Sequence, residues 1–284
     1  MPEIIFLLGD VAEARNDNHL RLPKGFCDAG WQVTELPHDC VRVHGGRLRL
    51  GDHDPAKFDL LWLLGFGRRG SFFDRMQLLR QLDQRRLVNS ADALVYLHGK
   101  YHWLELMPET HAGNDVTQLA KIISSGGDWV AKPAAGSYGR DVHLLREGDD
   151  PIPVLESLTG GTDAVYCLVQ RYIPEIADGE QRTLVAGGKI IGSYLRVPQK
   201  GLRANLSAQA KPMVTELDTV TLALVRRLAD DLLEAGAGFA AVDTAHGFLM
   251  EVNIANPGGL ATLELLYGED PTPAVVAALV SHKT

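Results

Sequence analysis

The sequence predicts a mixed α/β protein built from several lobes. Two segments, at residues 3–8 and 59–64, are apolar after an acidic first residue and are typical of buried parallel strands, and each precedes a segment with helical features. Further along, Gly187-Gly188 and His246-Gly247 each separate two strand-like segments, which indicates a β-hairpin. With 284 residues the chain is long enough for two or three modest lobes.

The amino-acid composition excludes some classes of protein and indicates a cellular compartment. A formal net charge of -8 disfavours general nucleic-acid binding, so a phosphate site must be assembled from a few local lysines and arginines. The 3 cysteines lack the spacing of a disulfide framework or a zinc site, so we expect reduced thiols and a cytoplasmic location. The apolar run at residues 4–8 is too short for a signal peptide, and no segment reaches the roughly 18 apolar residues of a membrane helix. No membrane partner is expected.

The first part of the chain predicts an α/β lobe. A helix after the first strand ends near Gly30, a second strand covers residues 31–36, and a later helix is expected from Ser71 to about Arg86. Gly9 does not begin a G-x-G-x-x-G pattern, which disfavours NAD binding. Arg68 and Arg69 follow the strand at 59–64, and loops at that end of a parallel strand often hold ligands. These arginines either meet an anionic substrate or are simply solvated.

The middle of the chain carries candidate phosphate-binding residues. Lys132 lies in an apolar strand-like run, where an uncompensated ammonium is costly, so it either reaches solvent or meets an anion. The loop after it contains Gly136, Ser137 and Gly139, and backbone amides of such loops can cradle phosphates. No Gly-Lys-Ser/Thr follows, so the P-loop class is disfavoured. Lys100 by itself is typical of a surface lysine.

Two hairpins dominate the second half. The first is basic and carries Arg182 and Arg196, and a helix from about Glu216 to Glu234, capped by Thr215, separates it from the second. In the second, alternation places Glu251 and Asn253 on one face of a strand, and the turn brings Asp243 back beside them. Two carboxylates and an amide oxygen suit Mg²⁺, which completes its coordination with water and phosphate oxygens. The alternative is a half-buried hairpin with a merely polar outer face.

The order of these blocks resembles the bacterial glutathione synthetases of the ATP-grasp superfamily. The resemblance rests on Lys132-Pro133 with its glycine loop, the run from Val169 to Arg182, Leu202–Leu206, and Asp243 with Glu251-Val252-Asn253. It extends from about Leu87 to the C-terminus and is most specific in the second half. It implies a Rossmann-like pre-ATP-grasp lobe at residues 1–98, a central ATP-grasp lobe at 99–169 and a C-terminal ATP-grasp lobe with the metal site at 170–284.

The resemblance also implies residue roles. Contacts to ATP are expected from Lys100, Lys132, Gly136, Ser137, Gly139, the segment Gln170, Arg171, Tyr172 and Ile173, and Glu180 at the ribose. Two Mg²⁺ ions, with Mn²⁺ as a possible substitute, would be held by Asp243, Glu251 and Asn253. Arg182 and Arg196 would face the transferred phosphoryl group, and Arg203 and Asn205 would lie at the substrate side. The implied reaction converts a carboxylate to an acyl phosphate, which an amine opens to an amide.

The implied substrates are small molecules, an acid such as a γ-glutamyl dipeptide and an amine such as glycine. After Asn205 this chain has Leu206-Ser207-Ala208-Gln209-Ala210, where the family carries a glycine-rich mobile loop. Ala255–Leu260 also replaces the family's serine-proline-threonine element. These departures leave three functions open. They are glutathione synthesis, ligation of another acid and amine or of a peptide terminus by a related ligase, and nucleotide binding without turnover. A homo-oligomer is compatible with each of them.

Overall fold

The computed structural model describes residues 1–9, 16–97, 100–134, 141–160, 164–198 and 210–283. Its mixture of helices and sheets agrees with the predicted fold class. Within these ranges, no helix is both long enough and apolar enough to cross a lipid bilayer.

The N-terminal region contains a parallel sheet and a small hairpin. Its elements are β1 (Glu3–Leu8), α1 (Asn18–Asp28), β2 (Gln32–Pro37), β3 (Val41–His44), β4 (Arg47–Leu50), β5 (Leu60–Leu64), α2 (Phe72–Leu79) and α3 (Ala91–Tyr96). The sheet order is β2-β1-β5, and β3 pairs with β4 as a separate hairpin. The helix α2 ends before the predicted Arg86, because Gln84 donates to the carbonyls of Leu79 and Leu82 and turns the chain.

The central region is a four-stranded antiparallel sheet with two helices. Its elements are β6 (Thr110–Gly113), α4 (Val116–Ile123), β7 (Trp129–Pro133), β8 (His143–Leu145), α5 (Ile152–Thr159) and β9 (Cys167–Arg171), with sheet order β6-β9-β7-β8. A separate core holds it together, built on Leu119, Trp129, Leu155 and Val169. Burial of these side chains stabilises this region as a unit of its own.

The C-terminal region is built on a five-stranded antiparallel sheet. Its elements are β10 (Glu180–Ala186), β11 (Lys189–Val197), β12 (Lys211–Val214), α6 (Thr219–Glu234), β13 (Phe239–Ala245), β14 (Phe248–Asn253), α7 (Leu260–Tyr267) and α8 (Thr272–Lys283), with sheet order β12-β11-β10-β13-β14. The helix α6 begins at Thr219, later than predicted, because Asp218 and not Thr215 accepts the first amide hydrogen bonds.

The N-terminal and C-terminal sheets share their cores. One cluster joins Ile5 and Leu61 to Val242 and Ile254, and a second joins Phe6 and Trp62 to Phe239. Trp62 also contacts the Phe239 ring edge-on, with 5.4 Å between ring centroids. The two outer regions therefore form one packed body.

A buried asparagine ties the ends of the β13–β14 hairpin to this body. Asn89 is fully buried, and its side chain accepts from the Phe239 amide at 2.9 Å and donates to the carbonyls of Phe239 and Ile254 at 2.8 and 2.5 Å. Phe239 begins β13, and Ile254 follows directly after β14. Asn89 therefore fixes where the hairpin enters and leaves the sheet.

Candidate active site

The predicted metal-binding hairpin forms, and a β-bulge between Asp243 and Thr244 sets the register of its polar residues. The turn lies at His246-Gly247, and Asp243 on β13 pairs directly with Glu251 on β14. Asn253 follows two residues later on the same strand, and its amide nitrogen donates to Asp243 Oδ2 at 3.1 Å. Two carboxylates and an amide therefore lie next to each other on the sheet.

Two arginines converge on Asp243 from the neighbouring strands. Arg182 on β10 pairs with Asp243 in register and donates to both carboxylate oxygens, Nε to Oδ1 at 2.8 Å and Nη2 to Oδ2 at 2.6 Å. Arg196 on β11 places Nη2 2.9 Å from Asp243 Oδ2. The Asp243 side chain is 1% exposed, so this cluster of charges is buried. Bidentate, charge-assisted contacts of this kind fix the geometry of both partners.

The protonation of this cluster follows from burial and from the opposed charges. Burial alone would disfavour the carboxylate, yet Arg182 and Arg196 outweigh it and lower the pKa of Asp243. Burial likewise opposes the charge of Arg182, but Asp243 raises its pKa. Both groups are therefore charged near neutral pH.

Glu180 lies at the start of β10 and is paired in register with Arg196. Its Oε2 accepts a hydrogen bond from Arg196 Nη2, and burial raises the pKa of Glu180. Arg196 is 3% exposed, and its Nε atom is buried without a hydrogen-bond partner among the described residues. A buried cationic N–H without a partner is costly, so this position is suited to an anion.

Both predicted phosphate-binding lysines have buried side chains. Lys100 donates to Glu251 Oε1 at 2.7 Å, which joins the segment before the central sheet to the metal hairpin. Lys132 on β7 donates to Gln170 Oε1 at 2.9 Å, and Gln170 donates in turn to Thr110 Oγ1 at 2.8 Å. Burial, and after it the charge of Lys100, lowers the pKa of Lys132 to about 8. The surface-lysine alternative is therefore wrong for both side chains.

The segment after β9 contains the remaining described candidates. The Arg171 guanidinium turns away from the charged cluster, lies 3.8 Å over the Trp129 ring and donates to the carbonyl of Gly126 and to Glu109. The backbone amides of Arg171 and Tyr172 donate to the carbonyls of Glu109 and Asp128. These two amides are therefore already paired within the protein. Ile173 is buried, with 8% exposure.

Five of the predicted site residues lie outside the described part of the chain. They are Gly136, Ser137 and Gly139 of the glycine loop, and Arg203 and Asn205 near the departure from the family pattern.

Some residues near the cluster carry no motif in the sequence. Thr110 completes the Lys132–Gln170 chain, and the Gly258 carbonyl accepts from Arg182 Nη1 at 3.3 Å. Tyr194 is buried and pairs in register with Arg182. Basic-hairpin spacing could have suggested Tyr194, because it lies two residues before Arg196, whereas Thr110 has no such signal.

The donor set suits a hard divalent cation bound together with phosphate. Among the described residues there is no group of three or more histidine, cysteine, aspartate or glutamate side chains placed to hold a metal. Asp243, Glu251 and Asn253 instead offer two carboxylates and one amide, which matches Mg²⁺ that keeps water and phosphate oxygens in its coordination shell.

Comparisons with known proteins match mainly the central and C-terminal regions. The family model for the prokaryotic glutathione synthetase ATP-grasp domain matches residues 99–268, more than half of the chain. Glutathione synthetase of Prochlorococcus marinus is 30% identical over 183 residues, 64% of this chain and 59% of that protein. Glutathione synthetase of Salmonella typhimurium is 31% identical over 186 residues, with the same coverages of 64% and 59%. This chain therefore matches only about three fifths of the length of these relatives.

Solved structures extend the likeness of fold to the whole chain. D-cycloserine synthetase DcsG has a TM-score of 0.71 at 14% identity, covering 99% of this chain and 100% of that chain. The ATP-grasp ligase PsnB, complexed with a minimal precursor, Mg and ADP, has a TM-score of 0.70 at 14% identity, covering 99% of this chain and 97% of that chain. At such identities the likeness concerns the fold. Through the match over residues 99–268, the chain belongs to the prokaryotic glutathione synthetase ATP-grasp family.

Proposed function

We propose that this protein is an ATP-dependent carboxylate–amine ligase that acts through an acyl phosphate. The observation that carries the proposal is the buried cluster in which Arg182 and Arg196 converge on Asp243 beside Glu251. Two buried guanidinium groups next to two carboxylates that can hold Mg²⁺ are suited to neutralising the charge of a phosphoryl group during its transfer. Membership of the family supports the same reaction class.

The nucleotide would lie between the central and C-terminal sheets. Lys132 comes from the central sheet, and Lys100 from the segment before it already reaches Glu251 of the C-terminal sheet. Both ammonium groups are suited to the phosphates, and Glu180 to the ribose hydroxyls. We propose that the segment Gln170–Ile173 contacts adenine through the backbone groups that are not already paired within the protein, which leaves out the Arg171 and Tyr172 amides. The division at 1–98, 99–169 and 170–284 fits this placement and is proposed with it.

Asp243, Glu251 and Asn253 would hold Mg²⁺, which polarises the phosphate oxygens and screens their charge when bound. Lys100 exchanges its contact with Glu251 for a phosphate in this proposal. The ion pair and the nucleotide therefore compete for the same ammonium. We expect two ions, as in the family, and Mn²⁺ as a substitute.

The chain's own residues supply positioning and charge. Arg182 and Arg196 are held rigidly by Asp243, so their N–H groups are oriented before substrate arrives and need no reorganisation in the transition state. The carboxylate of the acid attacks the γ-phosphorus and ADP leaves. The neutral amine then attacks the acyl carbon, the bond from this carbon to the phosphate oxygen breaks, and the proton lost by the nitrogen passes to the departing phosphate. This reaction needs no nucleophilic side chain.

Glutathione synthesis from γ-glutamylcysteine and glycine is the substrate pair that the curated relatives support best. A different acid and amine are the second candidate, because solved proteins of the same fold include a D-cycloserine synthetase and an ATP-grasp ligase complexed with a precursor peptide. We place the reaction in the cytoplasm, where ATP is available.

Release of ADP tests the proposal. The purified protein is incubated with ATP and Mg²⁺, first with γ-glutamylcysteine plus glycine, then with a panel of acids and amines. ADP release that requires both an acid and an amine supports the ligase. Tight ADP binding with no release for any pair would instead favour a nucleotide-binding protein without turnover.

A further inference from the structure

The N-terminal sheet has a topological switch point beside the candidate active site. In the order β2-β1-β5, the chain leaves β1 toward one side of the sheet and returns to its other side at β5. Both pairings of β1 are parallel, so the ends of β1 and β5 lie together at Gly9 and Gly65. Open parallel sheets bind ligands in the crevice outside the carboxyl ends of their strands at such a point.

This crevice shares a wall with the metal hairpin. The Gly65 amide donates to the Ala255 carbonyl at 2.9 Å, and Ala255 lies two residues after Asn253. Asn18 donates to the Asn256 side chain at 2.8 Å and to the Pro257 carbonyl at 2.9 Å. The loop after the metal hairpin is therefore docked on the N-terminal region beside this switch point.

A buried arginine holds the loop after β5 in one conformation. Arg75 is 3% exposed, and its Nη2 donates to the carbonyls of Phe66 and Arg68 at 2.6 and 3.0 Å. Gly67 has φ +62, and a Cβ atom at this position would lie 2.8 Å from Arg75 and 2.9 Å from His38. The backbone that carries Arg68 and Arg69 is thus closely packed against Arg75 and His38.

The outward side of this loop carries positive charge. The Arg68 side chain is 82% exposed and its Nε lies 3.1 Å from Asp39, which is the carboxylate that Arg75 also approaches at 3.8 Å. Arg69 is the next residue and is exposed. Two exposed guanidinium groups on a fixed backbone, one of which shares Asp39 with Arg75, are suited to an anion.

We propose that Arg68 and Arg69 bind a second carboxylate of the acid substrate, remote from the carboxylate that is phosphorylated. This inference rests on the proposed ligase function and adds the residues that select the acid, which must then carry at least two anionic groups. Arg75 is a positioning residue for the loop and does not touch the substrate. A monocarboxylic acid lacks the partner for these guanidinium groups and binds less tightly.

Calorimetric titration tests this inference without turnover. γ-Glutamylcysteine and its glutamyl α-amide, which lacks the remote charge, are titrated into protein saturated with Mg²⁺ and a non-hydrolysable ATP analogue. The wild type should bind the diacid about 10-fold or more tightly than the amide, the loss expected for one charge-assisted contact. The double variant Arg68→Gln/Arg69→Gln should lose this preference by weakening only the diacid, with unchanged affinity for the nucleotide.

Arg80→Gln is the matched control. Arg80 is also an exposed arginine of the N-terminal region, with Nε 2.9 Å from Asp92, but it lies on the far end of α2. Its variant should keep the wild-type preference. The inference is overturned if the double variant keeps the preference, if Arg80→Gln loses it equally, or if the wild type does not bind the diacid more tightly than the amide. Failure of the ligase function itself is distinct, because it appears as absence of ADP release.

Discussion

Replacing the two proposed metal carboxylates should separate their structural roles. Asp243 is 1% exposed and neutralises two arginines whose side chains are 15% and 4% exposed. Asp243→Asn keeps the shape but leaves Arg182 without its buried anion and Arg196 with Glu180 as its remaining carboxylate partner among the described residues. Removing one partner of a buried ion pair costs about 3–5 kcal/mol. We therefore expect Asp243→Asn to lower the free energy of unfolding by that amount.

Glu251→Gln should behave differently in the same measurement. The Glu251 side chain is 32% exposed and has Lys100 as its cationic partner at 2.7 Å. Glutamine can still accept that hydrogen bond, and water can reach the position, so the cost should be about 1 kcal/mol. Both variants should lose the increase in ADP affinity that Mg²⁺ gives the wild type, because each removes a proposed ligand charge.

Urea unfolding and ADP titrations with and without Mg²⁺ check both statements. If Asp243→Asn unfolds like the wild type, the buried cluster does not depend on its carboxylate as described. If Glu251→Gln keeps the full effect of Mg²⁺ on ADP affinity, Glu251 does not hold the metal. Equal destabilisation by the two variants would contradict the distinction between the buried and the half-buried carboxylate.

Three further perturbations follow from the same contacts. The pKa of Lys132 is lowered from 10.5 to about 8, so the buried ammonium lowers the free energy of unfolding below pH 8, and this effect fades as the pH rises toward 10.5. Bound phosphates would favour the charged form of Lys132 again. ADP binding at pH 8 should therefore be accompanied by the uptake of about half a proton, which calorimetry in buffers of different ionisation enthalpy measures. Lys132→Met should abolish this uptake, whereas Lys121→Met, at an exposed lysine, should not. Arg196→Ala should lower kcat for every acid by roughly 10²–10³, whereas a change confined to KM would argue against a role in the transition state. Asn89→Ala should lower the free energy of unfolding by about 3 kcal/mol, since it leaves buried backbone groups of Phe239 and Ile254 unpaired; a loss below about 1 kcal/mol in urea unfolding would be inconsistent with its burial.

Local pattern was enough to predict the hairpin that carries the proposed metal ligands. The turn at His246-Gly247 predicted that Asp243 returns to the side of Glu251, and the structure places it there. Regular pairing from that turn would oppose Asp243 to Met250, so the observed pairing with Glu251 depends on a β-bulge that the sequence pattern did not predict. The parallel strands at residues 3–8 and 60–64 were visible for a similar reason, because both are apolar apart from Glu3.

The side-chain contacts of the site residues could not be predicted from local sequence pattern. The Arg182–Asp243 contact depends on the pairing of β10 with β13, and β11, β12 and α6 lie between these two strands in the sequence. The Arg171 side chain shares its strand with Gln170 but points to the other face and lies on Trp129. Arg75 and Asn89 belong to no motif, and their importance comes from burial that only the packed structure defines.

The fate of the carboxylate oxygen tests the central claim most directly. An acid labelled with ¹⁸O in its reacting carboxylate is converted in the presence of ATP, Mg²⁺ and the amine, and the released phosphate is analysed by mass spectrometry. An acyl phosphate intermediate requires that one ¹⁸O atom per turnover appears in inorganic phosphate, with ADP as the other product. Unlabelled phosphate, or AMP and pyrophosphate in place of ADP and phosphate, would contradict the account.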